Sequence, residues 1–227
     1  MADQNANFQT ENEVMAKDVR NRLLDVAEKL FSERGFADTS VRDLTAEANC
    51  NVAAVNYHFG SKEKLYTDVW RHNLLLLRNN QLASIEKVML ENQGAPCLED
   101  LLKSFAEAFI GSLVDETKSN RLLQLMMREM LDKHLPPNMF VDEVINPTLG
   151  AMQKALLKTC PGLQESRIAL IVFSIIGQLI HAVRVRTMFG QSNRQGGLPI
   201  FDLAEMVDHI IKFSAAGIRA CAGKKTI

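Results

Sequence analysis

The 227-residue sequence is poor in aromatic residues, proline and cysteine, and its charges almost cancel. Six prolines leave long uninterrupted intervals. The four cysteines lie far apart and lack zinc-ligand spacing, so we expect reduced thiols in a cytoplasmic protein rather than disulfides. A formal net charge of −1 excludes a protein that coats nucleic acid by bulk positive charge. Any contact with DNA must therefore use a local surface.

Sequence motifs of common catalytic sites are also missing. There is no G-x-S-x-G, H-E-x-x-H, P-loop or G-x-G-x-x-G pattern, and the five histidines have no metal-ligand spacing. The sequence therefore predicts no enzyme, no metal site and no cofactor.

Two segments could be mistaken for membrane or export signals. Residues 1–16 are polar and acidic, which does not fit a secretory signal, and we expect a flexible tail there. The most apolar stretch, 168–183, is interrupted by polar and small residues and is shorter than the ~20 residues that cross a bilayer. We expect a buried helix and no membrane partner.

Apolar residues recur every three and four positions, which predicts an almost entirely α-helical chain. The first helix should cover 17–34 and stop at Gly35. A second should open at Thr39 and Ser40, with Asp43 completing a capping box. The further predicted helices cover 52–58, 62–91, 98–114, 120–133, 140–159, 165–189 and 201–221, with a polar loop at 190–197. Pro147 either starts a helix or bends one.

The two short helices before residue 60 form a candidate helix-turn-helix, in which Asn51 caps the second helix. The segment NVAAVNYHF, residues 51–59, has no acidic residue, and its small alanines permit close approach to base edges. Lys62 and Lys64 stand at the start of the next helix, where free backbone amides favour a phosphate.

Residues 31–66, FSERGFADTSVRDLTAEANCNVAAVNYHFGSKEKLY, resemble the DNA-binding domain of the TetR family of transcriptional regulators. Shared features are LF-x-x-x-G, T-[ST] and F-x-S-K-E-x-L. Asn49 replaces the usual turn glycine, and Asn56 replaces a more usual aromatic residue. The stretches AAVNYHFGSKE, RLLQLMMREMLDKHLPP and IIGQLIHAVRVR resemble the CecR-like subset of the family.

The resemblance implies an all-α protein with three parts. After the tail, a three-helix DNA-binding domain would occupy 17–66, and a long helix would join it to a helical ligand-binding and dimerisation domain over 67–222. The implied function is a homodimeric, ligand-responsive repressor, which binds a palindromic double-stranded DNA operator and is released by a small-molecule effector. The last two helices would form the dimer interface, although a central helix of a monomer is the alternative for 165–189.

The same resemblance implies DNA contacts at Thr39, Ser40, Asn51, Val52, Ala53, Asn56, Tyr57, His58 and Lys62. Those from Asn51 to Tyr57 would face base edges or sugars, and Thr39, Ser40, Tyr57, His58 and Lys62 would contact phosphates. Alternatively, one or both of Tyr57 and His58 cover the junction with the first helix, and Lys62 is simply solvated.

An effector cavity would lie among the middle helices. Its candidate lining residues are Phe105, Phe109, Met126, Met127, Met130, Met152, Gln178 and His181, because methionine adapts to varied apolar ligands. The alternative is an ordinary core. Arg128 and Glu129 lie inside an apolar helix, so they bond other polar groups or meet a polar ligand.

A second function stays open at this point. The chain could be a helical ligand-binding or scaffold protein whose helix-turn-helix contacts protein instead of DNA.

Overall fold

The fold is all-α, as predicted, over the residues that the structure describes. This computed structural model describes residues 2–114, 120–189 and 202–223, with side chains over 15–114, 120–188 and 202–223. The helices are α1 (Ala2–Arg34), α2 (Val41–Glu47), α3 (Ala53–Phe59), α4 (Lys62–Glu91), α5 (Leu98–Leu113), α6 (Arg121–Asp132), α7 (Asn146–Thr159), α8 (Glu165–Phe189) and α9 (Leu203–Ala222). The loop predicted at 190–197 and the predicted helix start at Phe201 lie outside the described residues.

The chain divides into two compact units. Unit 1 comprises Met1–Asn73 and Lys118–Met139, and unit 2 comprises Leu74–Thr117 and Phe140–Ile227. The division does not follow the boundary predicted at residue 66, because α6 packs against α1 and so belongs to unit 1. Helix α4 contributes residues to both units.

The N-terminal segment differs from the prediction. Helix α1 begins at Ala2 rather than near Lys17, so the expected flexible tail is helical in the structure. Residues 2–16 contain neither proline nor glycine, so nothing in that stretch breaks a helix.

The stop predicted at Gly35 is confirmed, and two further residues of unit 1 take left-handed conformations at a helix end or in a turn. Gly35 ends α1 with φ 88°, and Gly60 follows α3 with φ 84°, both in the left-handed region that favours glycine. Asn49 takes φ 48° in the turn between α2 and α3, so asparagine there serves the conformation that glycine usually provides. The helix-turn-helix is therefore built by short-range chemistry.

Apolar residues of α1, α2, α3 and α4 form the core of unit 1. Its fully buried members include Leu23, Ala27, Leu30, Phe31, Leu44, Val55 and Leu65. On the outside of this core, Arg20 of α1 pairs with Asp68 of α4 at 2.9 Å. The packing fixes which faces of α2 and α3 remain exposed.

Unit 2 is held mainly by apolar contacts among α5, α7, α8 and α9. Buried Gln81 on α4 accepts a hydrogen bond from Thr148 on α7 at 2.8 Å, and Arg219 on α9 donates two bonds to Glu99 on α5. Helix α8 is long and apolar enough to span a membrane, a property that core helices of soluble bundles share.

Pro147 lies in the first turn of α7, and the residues before it form a π-helical turn, Val141–Ile145. Proline cannot donate the α-helical hydrogen bond that would reach the carbonyl of Glu143. Arg78 Nη1 donates to that oxygen at 3.4 Å. The proline therefore starts an α-helix, and the irregular turn before it takes up the change in geometry.

Candidate nucleic-acid interface

Helix α3 has one buried face and one exposed face. Val55 and Phe59 are buried in unit 1. The opposite side, called here the recognition face, consists of the exposed residues Asn51, Val52, Ala53, Asn56 and Tyr57. Tyr57 is 80% exposed, which leaves its ring available to a partner. The structure thus brings together the five residues predicted to face base edges.

Asn51 closes the start of α3. Its Oδ1 accepts a hydrogen bond from the Ala53 N–H at 2.8 Å, and its carbonyl accepts one from the Ala54 N–H at 2.8 Å. The side chain therefore bonds the first N–H of α3 from one residue before the N-cap position, which is Val52 rather than the predicted Asn51. This bond orients the first turn of the recognition face.

Ser40 caps α2 through the predicted box with Asp43. The Asp43 N–H donates to Ser40 Oγ at 3.1 Å, and the Ser40 N–H donates to Asp43 Oδ2 at 2.9 Å. The hydrogen bonds from Ser40 hold the pKa of the Asp43 carboxyl below its ordinary value. Ser40 remains exposed, so it can meet a phosphate beside the helix start.

Thr39 corrects a predicted contact. Its relative exposure is 0%, and its hydroxyl donates to the Gly35 carbonyl at 2.7 Å. A wholly buried residue cannot touch a phosphate, so the expected DNA contact at Thr39 is wrong for this conformation. Instead, the side chain ties the start of α2 to the turn that ends α1.

Lys62 lies on the ring of Phe36, a contact that the sequence did not predict. Its Nζ is 4.1 Å from the centroid of the Phe36 ring, which is a cation–π contact. Burial lowers the pKa of the Lys62 ammonium. The ring of His134, which follows α6, is 4.4 Å from the Phe36 ring. The only sequence signal for this contact is an aromatic residue directly after the glycine that ends α1.

His58 is half-buried beside the recognition face. Its ring lies 4.8 Å from that of Tyr57 in an edge contact and 6.3 Å from that of Phe59. His58 thus contacts its two neighbours within α3, while Tyr57 faces outward.

Two families match successive parts of the chain. Residues 23–69 match the family described as "Bacterial regulatory proteins, tetR family". Residues 98–218 match "HTH-type transcriptional dual regulator CecR, C-terminal domain". The chain belongs to the TetR family of transcriptional regulators. Its C-terminal part places it in the CecR-like subset, which the sequence predicted.

Relatives match this TetR-family chain over different lengths. The repressor Rv3405c of Mycobacterium tuberculosis (strain ATCC 25618 / H37Rv) is 27% identical over 66% of this chain and 80% of its own length. The regulator AcrR of Shigella flexneri is 34% identical, but the match covers only 24% of this chain and 26% of AcrR. Both names describe transcriptional regulators, and neither describes an enzyme.

Solved structures share the TetR-family fold. A protein described as a TetR-family regulator from Mesorhizobium loti MAFF303099 has a TM-score of 0.60 at 22% identity, covering 90% of this chain and 96% of that one. The regulator PfmR of Thermus thermophilus has a TM-score of 0.54 at 21% identity, covering 86% of this chain and 97% of PfmR. At such identities the likeness concerns the fold alone.

Three of the eight predicted effector contacts of this TetR-family chain are not open to a ligand in the structure. Phe105 and Met152 have 0% exposure and Phe109 has 3%, so these three are core residues of unit 2 and line no open cavity. Met126, Met127 and Met130 belong to unit 1, and Met130 is 72% exposed. Apolar periodicity does not distinguish a cavity wall from a filled core, which explains the error.

Gln178 and His181 line a groove between α8 and α9 with a volume of about 810 Å³. The other lining residues are Phe173, Ser174, Gly177, Ala182, Glu205, Met206, His209 and Ile210. Large exposed apolar side chains stand on the same two helices, at Leu170, Phe173, Met188 and Phe213. We call these four the apolar α8–α9 surface.

Arg128 and Glu129 of α6 form hydrogen bonds to other residues of unit 1. Arg128 Nε donates to the Ser32 carbonyl at 2.9 Å and Nη2 donates to the Glu33 carbonyl at 2.5 Å. Glu129 accepts from the Tyr66 hydroxyl at 2.9 Å and from the Leu135 N–H at 2.7 Å. Both side chains therefore attach α6 to other parts of unit 1.

Proposed function

We propose that this TetR-family regulator is a cytoplasmic, homodimeric repressor that binds a palindromic DNA operator and releases it when a small-molecule effector binds. The recognition face carries the proposal. Its five exposed residues offer amide, phenol and methyl groups to base edges, and residues 48–62 include no acid that would repel phosphates.

Phosphate contacts are proposed on both sides of α3. Ser40 stands exposed at the start of α2, and His58 and Lys62 follow the recognition face. Each lies on an element packed against the core of unit 1, so the contacts and the base-reading face belong to one rigid surface.

The dimer is proposed to form through the apolar α8–α9 surface. Leu170 is 64% exposed and Phe213 is 65% exposed, which is unfavourable in water for side chains of this size. A two-fold dimer would place two recognition helices about 34 to 36 Å apart, one turn of DNA. Gln178 and His181 would then lie near the subunit contact, whether or not they also meet an effector.

Effector release is proposed to act through α4. This helix begins at Lys62, beside the proposed phosphate contacts, and continues into unit 2. An effector releases DNA only if it binds better to the subunit arrangement in which the recognition helices are wrongly spaced. An effector-bound dimer with unchanged helix spacing and unchanged DNA affinity would contradict this route.

The decisive experiment is selection of genomic DNA fragments by the purified full chain, followed by gel shifts on the selected palindrome over a range of salt concentrations. We expect sequence-specific binding that weakens as salt rises. Absence of binding to any genomic fragment would favour the protein-contacting alternative. Screening compounds for loss of the gel shift then tests effector response.

A further inference from the structure

Helix α6 belongs to one part of the chain by sequence and to another by packing. It lies within residues 98–218, which match the C-terminal domain of CecR, yet it forms part of unit 1 with the DNA-binding helices. Its side chains contact residues of unit 1 that are far away in sequence, and Arg128 has a specific target among them.

That target is the turn between α1 and α2. Arg128 donates to the carbonyls of Ser32 and Glu33, two of the last acceptors of α1, which have no partner within the helix. The bonds are charge-assisted, because their donor is a guanidinium. The last turn of α1 is thereby held by a side chain from another helix.

The same guanidinium covers the glycine that ends α1. A Cβ built on Gly35 would stand 3.2 Å from Arg128 Nη1, and Gly35 has φ 88°. One residue of the turn is thus restricted both by its backbone conformation and by the close guanidinium. The Gly35 carbonyl in turn accepts the buried Thr39 hydroxyl, directly before the cap of α2.

We propose that Arg128 is a positioning residue for DNA binding. It touches no DNA, but it fixes the turn from which the helix-turn-helix starts, and so it sets the angle at which α2 and α3 leave α1. This inference rests on the proposed function and adds to it a residue of the C-terminal sequence region that controls operator affinity.

The test compares two arginines of α6. Arg128→Met removes the bonds to the turn and keeps much of the side-chain volume. Arg121→Ala is the matched control, because Arg121 also joins α6 to α1, through Asp25 at 3.2 Å, but contacts the middle of the helix and not its end. Arg128→Lys keeps the charge with a single donor group.

Each full-length variant is titrated against a labelled duplex carrying the palindrome that the wild-type chain selects, and against a scrambled duplex. We expect Arg128→Met to lose about tenfold in operator affinity, the size expected when charge-assisted hydrogen bonds are lost. Its affinity for scrambled DNA should fall less than its operator affinity, and its salt dependence should stay close to the wild-type value, because no positively charged phosphate contact is removed. Arg128→Lys should lose less, and Arg121→Ala should stay within about twofold, as a partly exposed ion pair allows.

Circular dichroism and the sedimentation coefficient verify that each variant is folded and dimeric. Wild-type operator affinity in both folded Arg128 variants would overturn the proposal, and so would equal losses in Arg121→Ala and Arg128→Met. If Arg128→Met fails to fold, Arg128→Lys decides alone. If the wild-type chain selects no DNA, the proposed function fails and this inference fails with it. If the wild type binds the operator and both Arg128 variants bind it with the same affinity, only this inference fails.

Discussion

Unit 1 orients its exposed side chains with hydrogen bonds between specific polar groups, whereas unit 2 presents apolar faces. In unit 1, Ser40 caps α2, and Asn51 accepts a hydrogen bond from the first N–H of α3. In unit 2, Leu170 of α8 and Phe213 of α9 are exposed and line a groove between the two helices. A surface that must match DNA has fixed geometry, and a surface that must exclude water needs only area and shape.

The largest expected effect comes from removing the apolar surface of unit 2. Phe213→Glu should give monomers, and operator affinity should fall about a hundredfold, because two linked recognition helices bind far better than one. Sedimentation velocity and gel shift measure the two effects. Leu90→Glu is the control, because Leu90 is also exposed in unit 2, at 73%, but lies outside the apolar α8–α9 surface. A dimeric Phe213→Glu protein would place the interface elsewhere.

A smaller effect is expected at the recognition face of unit 1. Tyr57→Ala should weaken operator binding about tenfold, because a single lost base-edge or backbone contact has this size. The free energy of unfolding should not change, since the ring is exposed. Fluorescence anisotropy with the labelled operator measures the affinity, and urea denaturation measures the free energy of unfolding. Loss of stability without loss of affinity would make Tyr57 a packing residue.

Lys62→Ala tests the electrostatic part of the same surface. If Lys62 leaves the Phe36 ring to bind a phosphate, the slope of log affinity against log salt should become shallower by about 1. Lys87→Ala on the same helix is the control, since Lys87 is exposed in unit 2 and pairs with Glu91. Identical slopes for wild type and Lys62→Ala would show that Lys62 stays on the ring.

Thr39→Val separates a structural from a DNA-contacting threonine. The variant keeps the shape and leaves the Gly35 carbonyl without its donor, so the free energy of unfolding should fall by about 1 to 3 kcal/mol. Urea denaturation gives this value. The folded variant should keep the operator affinity of wild type. A loss of operator affinity with unchanged stability would restore Thr39 as a phosphate contact.

The smallest effect concerns the buried phenol of Tyr66. Burial raises its pKa above the ordinary value near 10, so its neutral form stabilises the fold. This contribution is fully present below pH about 10 and is lost as the pH rises further toward the folded-state pKa. Urea denaturation from about pH 8 to about pH 11 should show a decline in wild type that is weaker in Tyr66→Phe. An equal pH dependence of the free energy of unfolding in wild type and Tyr66→Phe would show that Tyr66 does not cause the decline.

Features of both units that depend on residues close together in the chain can be predicted from the sequence. The capping box at Ser40, the left-handed Asn49 and the stop at Gly35 follow from neighbours within four residues, so the sequence predicts them. The predicted bounds of α4 and α8 match those observed for the same reason.

Features that depend on distant partners escaped prediction. Arg128 bonds to carbonyls about 95 residues away. Nothing near Arg128 in the sequence indicates these partners, although an arginine and a glutamate side by side in an apolar helix are a signal that polar partners exist. Thr39 has its acceptor only four residues away, at the Gly35 carbonyl, but its complete burial depends on how the helices of unit 1 pack. The same limit applies to Phe105 and Met152, whose apolar spacing fits a core and a cavity wall equally.

The π-helical turn before Pro147 helps to attach α7 to α4. A proline is usually described by the hydrogen bond it removes, but here the affected carbonyl of Glu143 accepts from Arg78 of α4. An alanine at position 147 would supply a competing N–H to that oxygen and weaken the hold of Arg78. The proline thus turns an acceptor that serves one helix into an attachment point for a second.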